Sequence, residues 1–222
     1  MGLFFNLKHT KTKCINGCNI FNDKKLYSYW ENKNITSDEK HVLNYLQKKL
    51  STKNKNILHI GIGNSYLAKS LKKYKKIDGI SLSGSEIHYG LNQNIKNYNI
   101  YHLNKFSKKS LFNNKLNSYD LIIDVNLKSY ACCNVAFKHL FKQYLKMLNP
   151  KGIIITGKKG MKWSRIVKPV LSFSFKNFFY QRLKEFDGPK SNILSKNELL
   201  SLNTRNVYKL SNLKKLILIK KK

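Results

Sequence analysis

Carboxylates are scarce in this sequence. Asp and Glu number 11 against 43 Lys and Arg, a formal net charge of +32 on 222 residues. A surface of that sign attracts nucleic acid or anionic membrane at low salt. Arginine is scarcer still, confined to Arg165, Arg182 and Arg205. Readers of specific bases favour the bidentate guanidinium fork over the lysine point charge. Lysine, asparagine and isoleucine abound together, the usage that an AT-rich genome writes, so the charge has a compositional as well as a functional explanation. Cysteines number four, Cys14, Cys18, Cys132 and Cys133. Neither pair has the C-x2-C spacing of a zinc half-site, and adjacent cysteines seldom form a disulfide. Reduced thiols acting as small buried hydrophobes, with no metal site, are expected. No apolar run approaches membrane-spanning length, MGLFF is too short for a signal-peptide core, and MGLFFN lacks the Ser/Thr of a myristoylation signal. A cytoplasmic protein is expected.

What is present is organised around Asn56–Leu71, NILHIGIGNSYLAKSL. Ile57, Leu58 and Ile60 read as a buried strand. The turn Gly61-Ile62-Gly63-Asn64-Ser65 follows, and Leu67, Ala68, Leu71 and Tyr74 take up helical spacing. Two glycines can simply make a tight βα turn, but glycines also let backbone approach a ligand, and a helix start offers it free N–H groups.

In chain order, residues 1–35 read as an N-terminal extension or lid carrying an aromatic cluster at Tyr27, Tyr29 and Trp30. Thr36 and Glu39 have capping-box spacing ahead of a helix with Val42, Leu43, Leu46 and Leu50 on one stripe. A second strand is expected over Ile77–Leu82, a helix capped by Ser85, and a third strand over Asn99–Leu103. Tyr119–Asp124 is the clearest buried strand. An amphipathic helix through Phe137, Leu140, Phe141, Tyr144, Leu145 and Leu148 stops at Asn149-Pro150-Lys151-Gly152, and Gly152–Thr156 is the fifth strand. A basic aromatic insertion occupies about 157–190. Ser195 and Glu198 make a second capping box, and Asn206–Leu210 with Leu213–Ile219 close the chain as a strand pair. Strands alternating with helices imply a parallel sheet covered on both faces, with ligands at the carboxyl ends of its strands. The turn at Gly61–Ser65 and the strand ends at Ser81, Leu103–Asn104 and Asp124–Asn126 then share one cleft.

Over Asn56–Thr156 the pattern resembles the class I S-adenosylmethionine-dependent methyltransferases. ILHIGIGNSYLA is similar to that family's glycine-rich motif, YDLIIDV to its fourth strand, LNPKGIIIT to its turn into strand five, and GISLS to a form found in some small-molecule and lipid methyltransferases. The resemblance implies a Rossmann-like α/β fold: a seven-stranded, mostly parallel sheet with helices on both faces and a C-terminal antiparallel hairpin, within residues 36–222. It implies S-adenosyl-L-methionine as cofactor, held across His59, Gly61, Ile62, Gly63, Ser65, Ser81, Leu82, Asn104, Asp124 and Asn126. His59, Ser81 and Asn104 stand where the family usually has acids. Ser81 is therefore the group expected to hold the ribose, Asp124 the acid expected in the cleft, and Ser81→Asp the change expected to tighten binding.

The implied activity is methyl transfer, with a small molecule as the expected acceptor. Tyr29, Trp30, Lys128, Tyr130 and Trp163 are candidate acceptor contacts, Tyr29 and Trp30 by closing over the cleft. DVNL replaces the [DN]PP[YF] run of enzymes that methylate exocyclic or amide nitrogens, and no Pro-Cys nucleophile is present. Transfer from a sulfonium needs chiefly in-line positioning, so no catalytic base is assigned. A nicotinamide oxidoreductase fits poorly, with Tyr66 at the third glycine position and Ser81 at the acid. The remaining alternative is a non-catalytic or RNA-directed basic binding module on the same fold, its aromatics stacking bases and its lysines holding phosphates.

Overall fold

The computed structural model describes residues 13–17, 27–108, 118–129, 131–158 and 194–222. The strand β1 (Asn56–Ile60) is buried at every position after Asn56, as a strand covered on both faces must be. It pairs in parallel with β2 (Lys76–Ser81) on one side, Asn56 opposite Lys76 and Ile60 opposite Ile80, and with β4 (Tyr119–Ile123) on the other. Beyond β2 lies β3 (Tyr98–His102), and beyond β4 lies β5 (Leu148–Gly157), both parallel. The antiparallel pair β6 (Tyr208–Asn212) and β7 (Leu216–Lys221) completes a seven-stranded sheet in the order β3-β2-β1-β4-β5-β7-β6. The strand order reverses between β1 and β4, which puts the crevice for a ligand beside the turn at Gly61.

Alternating side chains of β1 serve two cores. Ile57 packs with Val42, Leu43 and Leu46 of α2 (Ser37–Lys49) and with Leu67 and Ala68 of α3 (Tyr66–Ser70). Leu58 and Ile60 pack on the opposite face with Phe137, Leu140, Phe141 and Tyr144 of α5 (Asn134–Met147). Full burial of such side chains contributes on the order of 1.5–3 kcal/mol each. The expected capping box is present: Thr36 Oγ1 accepts from the Glu39 N–H at 3.2 Å, and the Thr36 N–H donates to Glu39 at 3.1 Å. A second cap at Ser195 starts α6 (Lys196–Ser201).

Several expected boundaries move. The helix after the glycine turn ends at Ser70, with Leu71 extended. Continuing it would stack Lys69, Lys72, Lys73 and Lys76 at three- and four-residue spacings, where like charges repel. The next helix, α4 (Gly84–Leu91), is capped by Ser83 rather than Ser85. The Asn149–Gly152 turn lies within β5: Tyr119 pairs with Leu148 and Leu121 with Ile153, so the intervening residues bulge, with Lys151 at φ 63°. The closing strands begin two and three residues later than expected. The aromatic cluster forms a short helix, α1 (Tyr27–Glu31). Most of the basic aromatic insertion, with Trp163, lies outside the described residues, as does Tyr130.

Candidate functional site

The turn after β1 is built from backbone that only glycine adopts cheaply. Gly61 has φ 71° and Gly63 φ 56°. The Gly61 N–H is spent on the Ile80 carbonyl at 2.8 Å. A Cβ placed on Gly61 would meet nothing within 4 Å among the described residues, so the cleft is open above it. At Gly63 a Cβ would come within 3.5 Å of a Glu39 carboxylate oxygen. Ile62 is wholly buried, and Ser65 directs its hydroxyl behind the turn, 3.3 Å from the Tyr98 hydroxyl. Neither side chain is offered to the cleft, and the Ser65 backbone is spent locally, its N–H on the Ile62 carbonyl at 2.8 Å and its carbonyl on the Lys69 N–H at 3.0 Å.

A carboxylate the sequence reading did not single out faces this turn. Glu86, in the first turn of α4, accepts from the Gly63 N–H and, at 2.7 Å, from the Ser81 hydroxyl. Ser83 and Glu86 have capping-box spacing, and Ser83 Oγ accepts from the Glu86 N–H at 3.4 Å. The reciprocal bond to the Ser83 N–H comes from Ser81 Oγ at 3.0 Å instead, which releases the Glu86 side chain toward the glycines. Ser81 therefore spends its one proton on Glu86. The strand end lacks an acid, and a helix residue supplies one. At 6% exposure this carboxylate is almost out of water.

At the end of β3, Asn104 is buried. Its Oδ1 takes the Phe106 N–H at 2.9 Å, and its Nδ2 has no hydrogen-bond partner among the described residues. A buried donor left unpaired costs about 1–3 kcal/mol, so an acceptor reaching Nδ2 would be favoured. Leu82 is half-buried at the neighbouring strand end, and its carbonyl is engaged with His102 at 2.9 Å. His59 lies in the core beneath the turn, with both ring nitrogens unpartnered among the described residues. Burial holds its pKa below the ordinary 6.5, against the opposing pull of Glu39 and Asp124.

Asp124 is committed elsewhere. It is 1% exposed and pairs with Lys105 at 2.9 Å, and it accepts from the Tyr144 hydroxyl at 2.9 Å and the Asn126 N–H at 3.2 Å. Lys105 also donates to the Asn126 carbonyl at 2.7 Å. Burial pushes the Lys105 pKa down against the attraction of Asp124, and pushes the Tyr144 pKa up with Asp124 adding to the rise. The network braces the loop after β4 at the cleft floor. Asn126 is half-buried in that loop.

On the acceptor side, Lys128 pairs with Glu198 at 2.9 Å and lies over the Phe137 ring, so its ammonium ties α6 to α5. Trp30 is buried against α4, donating to Ser85 at 3.0 Å, with the exposed Tyr29 ring edge-on to it. The Lys33 carbonyl accepts from the Asn64 side chain at 2.5 Å. The segment around α1 thus borders the glycine turn.

No family model matches the sequence, and no curated protein matches it. Solved structures do. The chain is similar to magnesium protoporphyrin IX methyltransferase from Synechocystis PCC 6803, solved with bound S-adenosylhomocysteine: TM-score 0.56, 8% identity, 88% of this chain and 94% of that one. It is similar to the N-methyltransferase NodS of Bradyrhizobium japonicum WM9 with S-adenosylhomocysteine: TM-score 0.52, 14% identity, 88% and 97%. It also resembles the CurJ carbon methyltransferase, with TM-score 0.53, 12% identity and 82% of this chain, but spans only 52% of that structure's length. At such identities the likeness is one of fold.

Proposed function

We propose that this chain, which has the class I methyltransferase fold, binds S-adenosyl-L-methionine at the Gly61 turn and directs its methyl group to a small-molecule acceptor. The observation that carries the reading is the buried Glu86 carboxylate, fixed by Ser81 and the Gly63 N–H beside the open backbone of Gly61. A carboxylate so placed suits vicinal hydroxyls of a ribose, since each of its oxygens can accept more than one hydrogen bond. Asn104 Nδ2 suits an acceptor nitrogen of a purine. When bound, the cofactor supplies an electrophilic methyl on a positively charged sulfur. The residues of the chain bind and orient: Glu86, positioned by Ser81, holds the sugar, Asn104 the base, and the glycine backbone admits the rest. Glu39 and Glu86 give this part of a strongly basic protein the negative charge that a cationic ligand requires. Tyr29, at the rim of the cleft, is the aromatic that an acceptor would meet.

The test is calorimetric titration with S-adenosylhomocysteine at two salt concentrations. Binding that is insensitive to salt and abolished by Gly61→Val supports the reading. Absence of binding even at millimolar ligand overturns it. The +32 charge favours a second reading, a nucleic-acid-binding module on this fold. Affinity for single-stranded RNA that falls steeply with salt, without S-adenosylhomocysteine binding, would identify that instead.

A further inference from the structure

Three thiols from two distant parts of the chain meet at the start of α5. Cys14 and Cys133, 119 residues apart, have their sulfurs 4.0 Å from each other, Cys132 and Cys133 are likewise 4.0 Å apart, and all three sulfurs fall within 4.8 Å of one another. We propose that Cys14, Cys132 and Cys133 form a trithiolate site for a soft, thiophilic cation, zinc(II) or copper(I), that fastens the N-terminal segment 13–17 to the loop preceding α5.

The spacing suits a shared cation better than a disulfide. A cation about 2.3 Å from each of three sulfurs holds them about 3.8 Å apart in the tetrahedral geometry of zinc(II), with a fourth ligand, and about 4.0 Å apart in the trigonal geometry of copper(I), whereas a disulfide needs about 2.05 Å. Two of the sulfurs are already arranged as acceptors. Cys14 Sγ accepts from the Asn16 N–H at 3.3 Å, and Cys133 Sγ, at the N-cap of α5, accepts from the Ala136 N–H at 3.4 Å. N–H groups aimed at sulfur favour the thiolate, as does the start of a 14-residue helix. The segment carrying Cys14 is seated independently of the thiols. Cys14 bridges Ser107, and the Lys108 N–H donates to the Lys13 carbonyl at 2.9 Å. An all-sulfur donor set selects zinc(II) or copper(I) over harder cations.

Coordination replaces each thiol proton by the cation, with the protons passing to solvent. Affinity must therefore rise with pH. The proposal is independent of methyl transfer, and its test uses no S-adenosyl compound.

Reduced, full-length protein is loaded anaerobically with zinc(II) or copper(I) in separate arms, desalted, and assayed for metal. One equivalent retained in either arm, with affinity increasing with pH, is expected. The arm of higher affinity identifies the resident ion. Cys14→Ser and Cys133→Ser should each lose at least tenfold in affinity. Because a variant could misfold, wild-type protein is also alkylated with and without metal and mapped by mass spectrometry. Slowed labelling at Cys14, Cys132 and Cys133 supports the site. Metal retention unchanged by the substitutions, no retention in either arm, or only a Cys14–Cys133 disulfide under mild oxidation overturns it.

Discussion

The Ser81 hydroxyl donates to Glu86 at 2.7 Å while accepting the Ser83 N–H at 3.0 Å, so a serine at the strand end acts by aiming an acid on the following helix. Its single proton is already in use. Under the proposed function, Glu86 takes the binding role expected of Ser81, and Ser81 positions it.

Substitutions at the pair should therefore be ordered. Glu86→Gln is expected to weaken S-adenosylhomocysteine binding by about 1.5–3 kcal/mol, the range of a hydrogen bond to a charged group, and Ser81→Ala by about 1 kcal/mol. Ser81→Asp should weaken binding too, because it sets a second carboxylate against Glu86 in a buried site. That reverses the tightening expected from sequence. Calorimetry on the four proteins checks the order, and tighter binding by Ser81→Asp would refute the assignment.

Gly61 separates ligand effects from folding effects. With φ at 71° and no described residue within 4 Å of an added Cβ, Gly61→Ala carries chiefly backbone strain, about 1 kcal/mol of stability. The added methyl stands where a ligand would approach. A small drop in urea midpoint with a loss of S-adenosylhomocysteine affinity of tenfold or more is the expected result. Unchanged affinity would place the ligand elsewhere.

His59 gives the fold an acid sensitivity of definite sign. Burial keeps its native pKa below 6.5, so between that native value and 6.5 the unfolded chain binds more protons than the native one. Stability rises with pH through this window and is independent of His59 above it. Replacing the ring by leucine removes two buried nitrogens with no hydrogen-bond partner among the described residues, together with the titration. Urea unfolding of His59→Leu between about pH 5 and 7 should give a flatter profile than wild type, and a parallel profile would assign the acid sensitivity to other groups.

Lys105 and Asp124 should behave as one unit. Removing only the lysine, as in Lys105→Met, leaves a carboxylate of 1% exposure facing Tyr144 without a countercharge, a loss of about 3–5 kcal/mol. Adding Asp124→Asn should recover much of it. Equilibrium denaturation of the two single variants and the double variant measures the coupling, and simple additivity would contradict it.

Much of this was legible in the sequence. The apolar runs of β1, β4 and β5 and the period of α5 are strong local signals, and the glycine turn marked the cleft. Glu86 escaped because an acid was sought at the strand end, not one turn into a helix. Its signals were the Ser83–Glu86 capping spacing and its place on the same helical face as Gly90, the face turned to the sheet. Lys105 had no signal at all, since one buried lysine in a lysine-rich stretch looks like its neighbours. The meeting of Cys14 with Cys132 and Cys133 depends on tertiary folding and on no local pattern.

The order of the sheet also sets an order in time. β7 lies between β5 and β6, although it follows both in the chain. As the polypeptide leaves the ribosome, β6 emerges before β7, its partner among the described strands, has been made. The parallel strands can assemble earlier, but β5 keeps an open edge until Leu216–Lys221 slides in and brings β6 with it. Until that moment the nascent sheet exposes a hydrogen-bonding margin to any other extended chain. The lysines at 214, 215 and 222 that flank the late strand, with Lys220 and Lys221 at its end, place repelling charge beside that margin.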